Sequence, residues 1–219
     1  KGYEHVVRKM FWETITIGHP LKFDLNCARQ YENLGLSWYL KEGSNDCVVA
    51  LVDNEPVGYC LVCTDTESFE RSQKKLLARL SICGLFVFLT GRINSESRRF
   101  YWYRLRDSVT IMRTRKHLPA DVHMHAHLNV HYSHHDGSIS RRLRDHADAV
   151  CKAHGANAYF GEMNAVGGKR IIGLQRVGGA VVSDSTNHTF SWLTGQDIHR
   201  LTLIRFLEPP VTQSEKQAA

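Results

Sequence analysis

Residues 123–143 read HMHAHLNVHYSHHDGSISRRL and hold six of the chain's thirteen histidines. Val122, Met124, Ala126, Leu128 and Val130 alternate with His123, His125, His127 and Asn129. Alternation at period two predicts a half-buried strand over 121–130 whose histidines share one face. Beyond a short polar loop, Ile139, Leu143, Ala147, Val150 and Cys151 recur at helical spacing. That stripe predicts an amphipathic helix from Ser138 to His154, stopped by Gly155. The order strand, loop, helix brings a helix amino terminus to the end of a strand. Such a terminus carries unpaired N–H groups and about half a positive charge, which suits a phosphate. Arg141 and Arg142 fall in its first turn, where cations oppose the helix dipole. A bound polyanion would remove that conflict; two arginines facing water are the plainer alternative.

Upstream, residues 4–17 and 21–42 read as helices broken by GHP at 18–20. CVVALVD (47–53) and VGYCLVCTD (57–65) read as a hairpin of two strands joined at NEP. Residues 66–118 form a helical, arginine-rich insertion with a break at FLTGRINSES, and Pro119 ends it. Its most apolar run, LSICGLFVFLTG (80–91), is too short to span a bilayer, which leaves a core helix or an interfacial one; core is the expectation. Downstream, ANAYFGEMNA predicts a strand, 167–179 a short helix, and AVVSDS and LTLIRFL two further strands. Residues 208–219 read as a polar, disordered tail. The element order predicts a mixed α/β fold around one sheet, with residues 1–207 as a single domain.

A length of 219 residues and 42% hydrophobic content suit a soluble globular chain with a sizeable core. The formal charge of +6 favours anionic partners, namely phosphate-bearing cofactors, nucleic acid or an acidic membrane face. No run of five Lys/Arg occurs, so nucleic acid is not expected. Cys60 and Cys63 form a C-x-x-C inside an apolar strand, where the two side chains point to opposite faces. They read as buried structural thiols. No disulfide framework is legible among the six cysteines, the beginning shows no secretory pattern, and a reducing cytoplasm is the expected location.

The order of elements and the stretch HLNVHYSHHDGSISRRL resemble the GNAT acyltransferase superfamily. That family has a strand, a Q/R-x-x-G-x-G/A loop and a helix whose amino end binds the pyrophosphate of acyl-coenzyme A. The resemblance covers 119–207 well and 1–65 weakly; the insertion has no counterpart in the minimal family fold. Aligned on Ile139, the motif's first residue falls on His135 and both glycines fall on serines, Ser138 and Ser140. Gly137 supplies some of the missing backbone freedom. The tyrosine that the family often uses as acid toward the departing thiolate falls on Leu174, and the asparagine at the head of that helix on Gly167.

The resemblance implies a GNAT-like fold with a central twisted mixed sheet. It implies transfer of an acetyl or longer acyl group from acyl-CoA to an amine, with no membrane span and with a homodimer left open. His135, Asp136, Gly137, Ser138, Ile139, Ser140, Arg141 and Arg142 would hold the pyrophosphate. Leu128, Asn129, Val130 and Asn164 would hold the pantetheine arm, and a backbone N–H near Leu128 would polarise the thioester. An ammonium is not a nucleophile, so the reaction needs a base. Histidine suits that role near neutral pH, which selects His127 or His125, with Glu162 orienting it or acting itself. The insertion would cap the acyl or acceptor pocket and suit a long acyl chain or a hydrophobic acceptor. Two alternatives stay open: a GNAT-like module that binds without turnover, and a metal-dependent hydrolase built on the H-x-H strand. The first reading expects no metal.

Overall fold

The chain turns back sharply at Asp53 and Asn54, both at positive φ (51° and 64°). That turn joins β1 (Val48–Val52) to β2 (Glu55–Cys63) as an antiparallel hairpin. β2 is buried on both faces, and its alternation decides which layer each side chain enters. Tyr59, Leu61 and Cys63 pack against Val7 and Met10 of α1 (Glu4–Thr14) and Leu36 and Trp38 of α2 (Ala28–Leu40). Cys60 and Val62 pack on the other side against Leu143, Ala147 and Cys151 of α5 (Ser138–Ala153). Burial drives both thiols upward in pKa, Cys63 to about 12. The C-x-x-C pair is thus structural and split between two cores.

The computed structural model describes residues 2–115, 118–134, 137–167 and 179–207. Among the described residues six strands form one mixed sheet in the order β1-β2-β3-β4-β6-β5. β3 is His125–Val130, β4 Ala158–Val166, β5 Ala180–Thr186 and β6 Ile198–Phe206. Among the described residues β3 and β4 are the one parallel pair, joined by the crossover through α5. The expected helix at 167–179 and the expected tail at 208–219 lie outside the described residues, apart from Gly167 and Gly179. β3 begins two residues after His123, so that histidine stands exposed before the strand instead of in its row.

The two N-terminal helices are shorter than their sequence suggests. Ile17 and Gly18 at positive φ end the first turn region, and Cys27 at φ 58° precedes α2. A short helix absent from the sequence reading, α6 (His188–Thr194), is marked by punctuation at both ends. Asn187 caps it by accepting from Phe190 N–H at 3.1 Å, and Gly195 closes it in the left-handed region.

The insertion folds as two helices, α3 (Thr66–Leu89) and α4 (Ser95–Arg115). Asp65 caps α3 by accepting from Ser68 N–H at 2.9 Å. α4 is pinned through Asp107, only 2% exposed, which accepts from both N–H groups of His188 and Thr189 and from the Thr189 hydroxyl. The first half of α3 packs on α2 through Phe69 and Leu76. Its second half overturns the expectation of a core helix at 80–91. Ile82, Leu85, Phe86, Phe88 and Leu89 are 58–73% exposed. The reason is length. A helix of 24 residues extends about 36 Å, whereas α2, with 13, extends about 20 Å and cannot cover it.

A second expectation is also corrected. Cys27, before α2, and Cys83, about three-quarters of the way along α3, form a disulfide across 56 residues of sequence. The pairing arises only because α3 folds back over the start of α2. For this pair, the argument from unpaired thiols to a reducing compartment no longer holds. Closing so long a loop is worth up to about 4 kcal/mol through the unfolded state. Reduction, or the pair Cys27→Ser and Cys83→Ser, should therefore lower the urea midpoint without shifting the far-ultraviolet circular dichroism spectrum. An unchanged midpoint would show that the bond does not hold α3 in place.

Candidate active site

β3 and β4 are paired at one couple only, His125 with Phe160. On its other edge β3 pairs with β2 through all six residues, and β4 pairs with β6 through nine. The two parallel strands therefore part beyond their single couple. Backbone direction alternates along a strand. Phe160 N–H donates to Met124 C=O, and His131 N–H to Val57 C=O. So the amide groups of Leu128 and Val130 face the gap, while that of Asn129 faces β2. On β4 the corresponding groups belong to Glu162 and Asn164. Leu128, Val130, Glu162 and Asn164 thus edge the opening with backbone groups.

Asn129 sits elsewhere in the network than expected. Its side-chain amide donates to Thr14 Oγ1 and, at 3.1 Å, to the Tyr59 hydroxyl, tying β3 to α1. The Asn164 side chain accepts from Asn187 at 2.8 Å, which links β4 to the cap of α6.

The gap ends at the amino terminus of α5. Gly137 precedes that helix at φ 83°, a conformation that favours glycine, and offers no side chain to cap it. Within the helix the first bond comes from Arg141 N–H to Gly137 C=O, so the amides of Ile139 and Ser140 lack intrahelical acceptors. Arg141 and Arg142 are exposed, and neither has a carboxylate partner among the described residues. His135 and Asp136 lie outside the described residues. Thus Gly137, Ser138, Ile139 and Ser140 form an anion-competent turn at the mouth of the gap.

On the α1–α2 face, His127 and Glu162 stand two residues beyond the last paired couple of their strands. Both line a cavity of about 320 Å³ walled by Tyr31, Leu34, Phe69 and Arg104. The two candidate bases differ in their surroundings. His125 is 9% exposed, bonds the Tyr39 hydroxyl at 2.8 Å and is enclosed by the rings of Phe69 and Phe160. His127 is open to the cavity yet ringed by protein atoms beyond it. Loss of hydration there pulls its pKa below the ordinary histidine value, and the Glu162 carboxylate opposes the shift. Glu162 has a counter-ion in Arg200, whose Nε lies 3.8 Å away and whose guanidinium is buried. Sequence reasoning missed Arg200, Arg104 and Tyr31. An arginine entering an apolar strand was a signal for the first; nothing marked the others.

Among the described residues no three His, Cys, Asp or Glu side chains converge as metal ligands would. The H-x-H pair is divided between the aromatic enclosure of His125 and the open cavity of His127. A larger groove, about 1040 Å³, lies between α3 and α4, and Tyr31, Leu34 and Arg104 wall both it and the smaller cavity.

Solved structures share this architecture. SsHAT matches with a TM-score of 0.56 at 14% identity, over 94% of this chain and 94% of its own. Arylalkylamine N-acetyltransferase 2 from Aedes aegypti matches with 0.53 at 14% identity, over 94% and 95%. The Salmonella typhimurium protein yncA, solved with its cofactor acetyl-CoA, matches with 0.50 at 10% identity, over 96% and 91%. No protein-family model and no curated protein matches the chain. The chain has the GNAT acyltransferase fold.

The turn at Gly137 depends on where α5 sits, and Asp148 fixes that. Its carboxylate accepts two bonds from Arg205 of β6, both 2.6 Å, and one from the Tyr159 hydroxyl of β4 at 2.9 Å. Burial pushes the Asp148 pKa up, but the Arg205 and Tyr159 bonds outweigh it and leave it depressed. Its contribution is therefore complete above the ordinary aspartate value and is lost as pH falls through the lowered one. Asp148→Ala should cost about 2–3 kcal/mol in urea unfolding at neutral pH, with the difference from wild type narrowing only below about pH 4. A difference that narrows already between neutral pH and 5 would contradict this assignment.

Proposed function

We propose that this chain transfers an acyl group from acyl-CoA to an amine by direct attack. The observation that carries the reading is the parting of β3 and β4 at the uncapped start of α5, with His127 and Glu162 beside it. The diphosphate would lie on the amides of Gly137 to Ser140, with Arg141 and Arg142 as counter-charges. The pantetheine arm would take the backbone groups of Leu128, Val130, Glu162 and Asn164. This leaves the thioester carbonyl near the Leu128 N–H, which stabilises the negative oxygen of the tetrahedral intermediate.

The amine enters from the cavity side. Neutral His127 removes a proton from it, and Glu162 stabilises the resulting imidazolium. Nitrogen then bonds to the carbonyl carbon, the C–S bond breaks, and sulfur keeps the electron pair. Nitrogen loses one proton to His127 before attack and one to water as the intermediate collapses, and a second transfer puts one proton on sulfur. Leu174 occupies the position where the resemblance implies a tyrosine, so we assign that second transfer to the His127 imidazolium. The products are an amide and free coenzyme A.

The test is release of free thiol from acetyl-CoA and from a longer acyl-CoA over a panel of amines. kcat/KM should fall as pH drops through the depressed pKa of His127, so the acid limb should lie below about 6.5. His127→Gln should remove that limb and lower kcat/KM by about 10²- to 10⁴-fold. Turnover of wild-type size in His127→Gln would sink the assignment. Saturable coenzyme binding with no thiol release from any amine would favour a binding module, which the two serines of the loop and Leu174 also suit.

A further inference from the structure

The α3–α4 hairpin combines two properties that a protein surface facing water rarely combines, an apolar outer end and a basic charge along its length. The first is apolar exposure on more than one side. Leu77, Leu85 and Phe88 face the groove between the helices, together with Trp102 and Leu105 of α4. Ile82, Phe86 and Leu89 do not line it, yet they are 58–73% exposed. A helix apolar all round at its end is suited to a surrounding apolar medium more than to a single mating groove.

The second property is charge. Residues 66–118 hold twelve Lys/Arg against four Asp/Glu, a local balance of +8, which leaves −2 for the rest of the chain. Lys74, Lys75, Arg79, Arg92, Arg98 and Arg106 are exposed. None of them has a carboxylate partner among the described residues.

These properties discriminate between occupants. A second copy laid on the same face would bring one +8 hairpin against another, at a repulsive cost. A bound acyl chain would fill the groove but leave Ile82, Phe86 and Leu89 in water. An anionic bilayer surface answers both properties. Its acyl boundary takes the apolar end, and its phosphates take the flanking arginines and lysines. Among the described residues no helix is long and apolar enough to cross a membrane, so the hairpin would lie in the interface. The Cys27–Cys83 bond holds α3 to the body of the fold near the middle of its apolar run.

We propose that the exposed end of the α3–α4 hairpin docks this protein on an anionic lipid bilayer. This holds whether or not the cavity at His127 turns over an acyl donor. The test is flotation of the whole protein with vesicles of phosphatidylcholine alone, or containing about 30% phosphatidylglycerol. The protein should float with the anionic vesicles at least about tenfold more than with the neutral ones, and lose that association as salt rises. Phe86→Ser with Leu89→Ser, and separately Arg92→Glu with Arg98→Glu, should each reduce flotation about tenfold or more while leaving the circular dichroism spectrum unchanged. These side chains are exposed and outside the cavity, so folding is not at issue. Failure to float with anionic vesicles overturns the proposal, as does equal flotation with neutral ones. A wild-type dimer that Phe86→Ser with Leu89→Ser converts to monomer would also overturn it, since a second copy would then cover the face.

Discussion

The constraint on which the structure depends is the single couple that joins β3 to β4. Each strand is secured on its outer edge by an antiparallel partner, β2 for one and β6 for the other. Each half of the sheet therefore keeps its ladder while the halves diverge. The divergence turns backbone groups of Leu128 and Val130 on one strand, and of Glu162 and Asn164 on the other, toward the opening instead of into a shared ladder. It also exposes the start of the crossover helix, because α5 begins where β3 ends. A ligand with its own amides and a diphosphate would satisfy both sets at once. In the proposed reaction, His127 and Glu162 on one face of the same strands would supply the base and the carboxylate.

The rest of the fold holds that opening in position. Ile139, Leu143, Ala147 and Cys151 set α5 against one face of the sheet, and Asp148 ties it to both β4 and β6. α1 and α2 cover the other face and wall the cavity. The hairpin of α3 and α4 is added to that second face. Its inner half takes part in the packing through Phe69, Leu76 and Phe100, and its outer half does not. Since Tyr31, Leu34 and Arg104 wall both the cavity and the hairpin groove, whatever covers the hairpin lies next to the candidate catalytic pocket.

Much of this was legible in the sequence, for physical reasons that can be named. The period-two run at 121–130 and the helical stripe at 138–151 gave the central strand and α5, because both segments bury one face. The hairpin of β1 and β2 was legible from its apolar runs. The division of labour between His125 and His127 was not. Both lie on one strand face, and only the rings of Tyr39, Phe69 and Phe160, from three distant segments, separate them. The disulfide was hidden for the same reason, since 56 residues separate its halves. The exposed end of α3 misled because apolar composition predicts burial only where a neighbour is long enough to provide it. Arg200 entered the site through β6, far along the chain from Glu162.

The most direct test of the central claim is calorimetric titration of the purified protein with acetyl-CoA, repeated on Ser138→Asp and Ser140→Asp variants that stay folded. The account predicts saturable binding to the wild type. It predicts loss of binding in both variants, because a carboxylate at the start of α5 would repel the diphosphate. Absence of binding to the wild type, or undiminished binding in both variants, would contradict the assignment of that helix start as the coenzyme site.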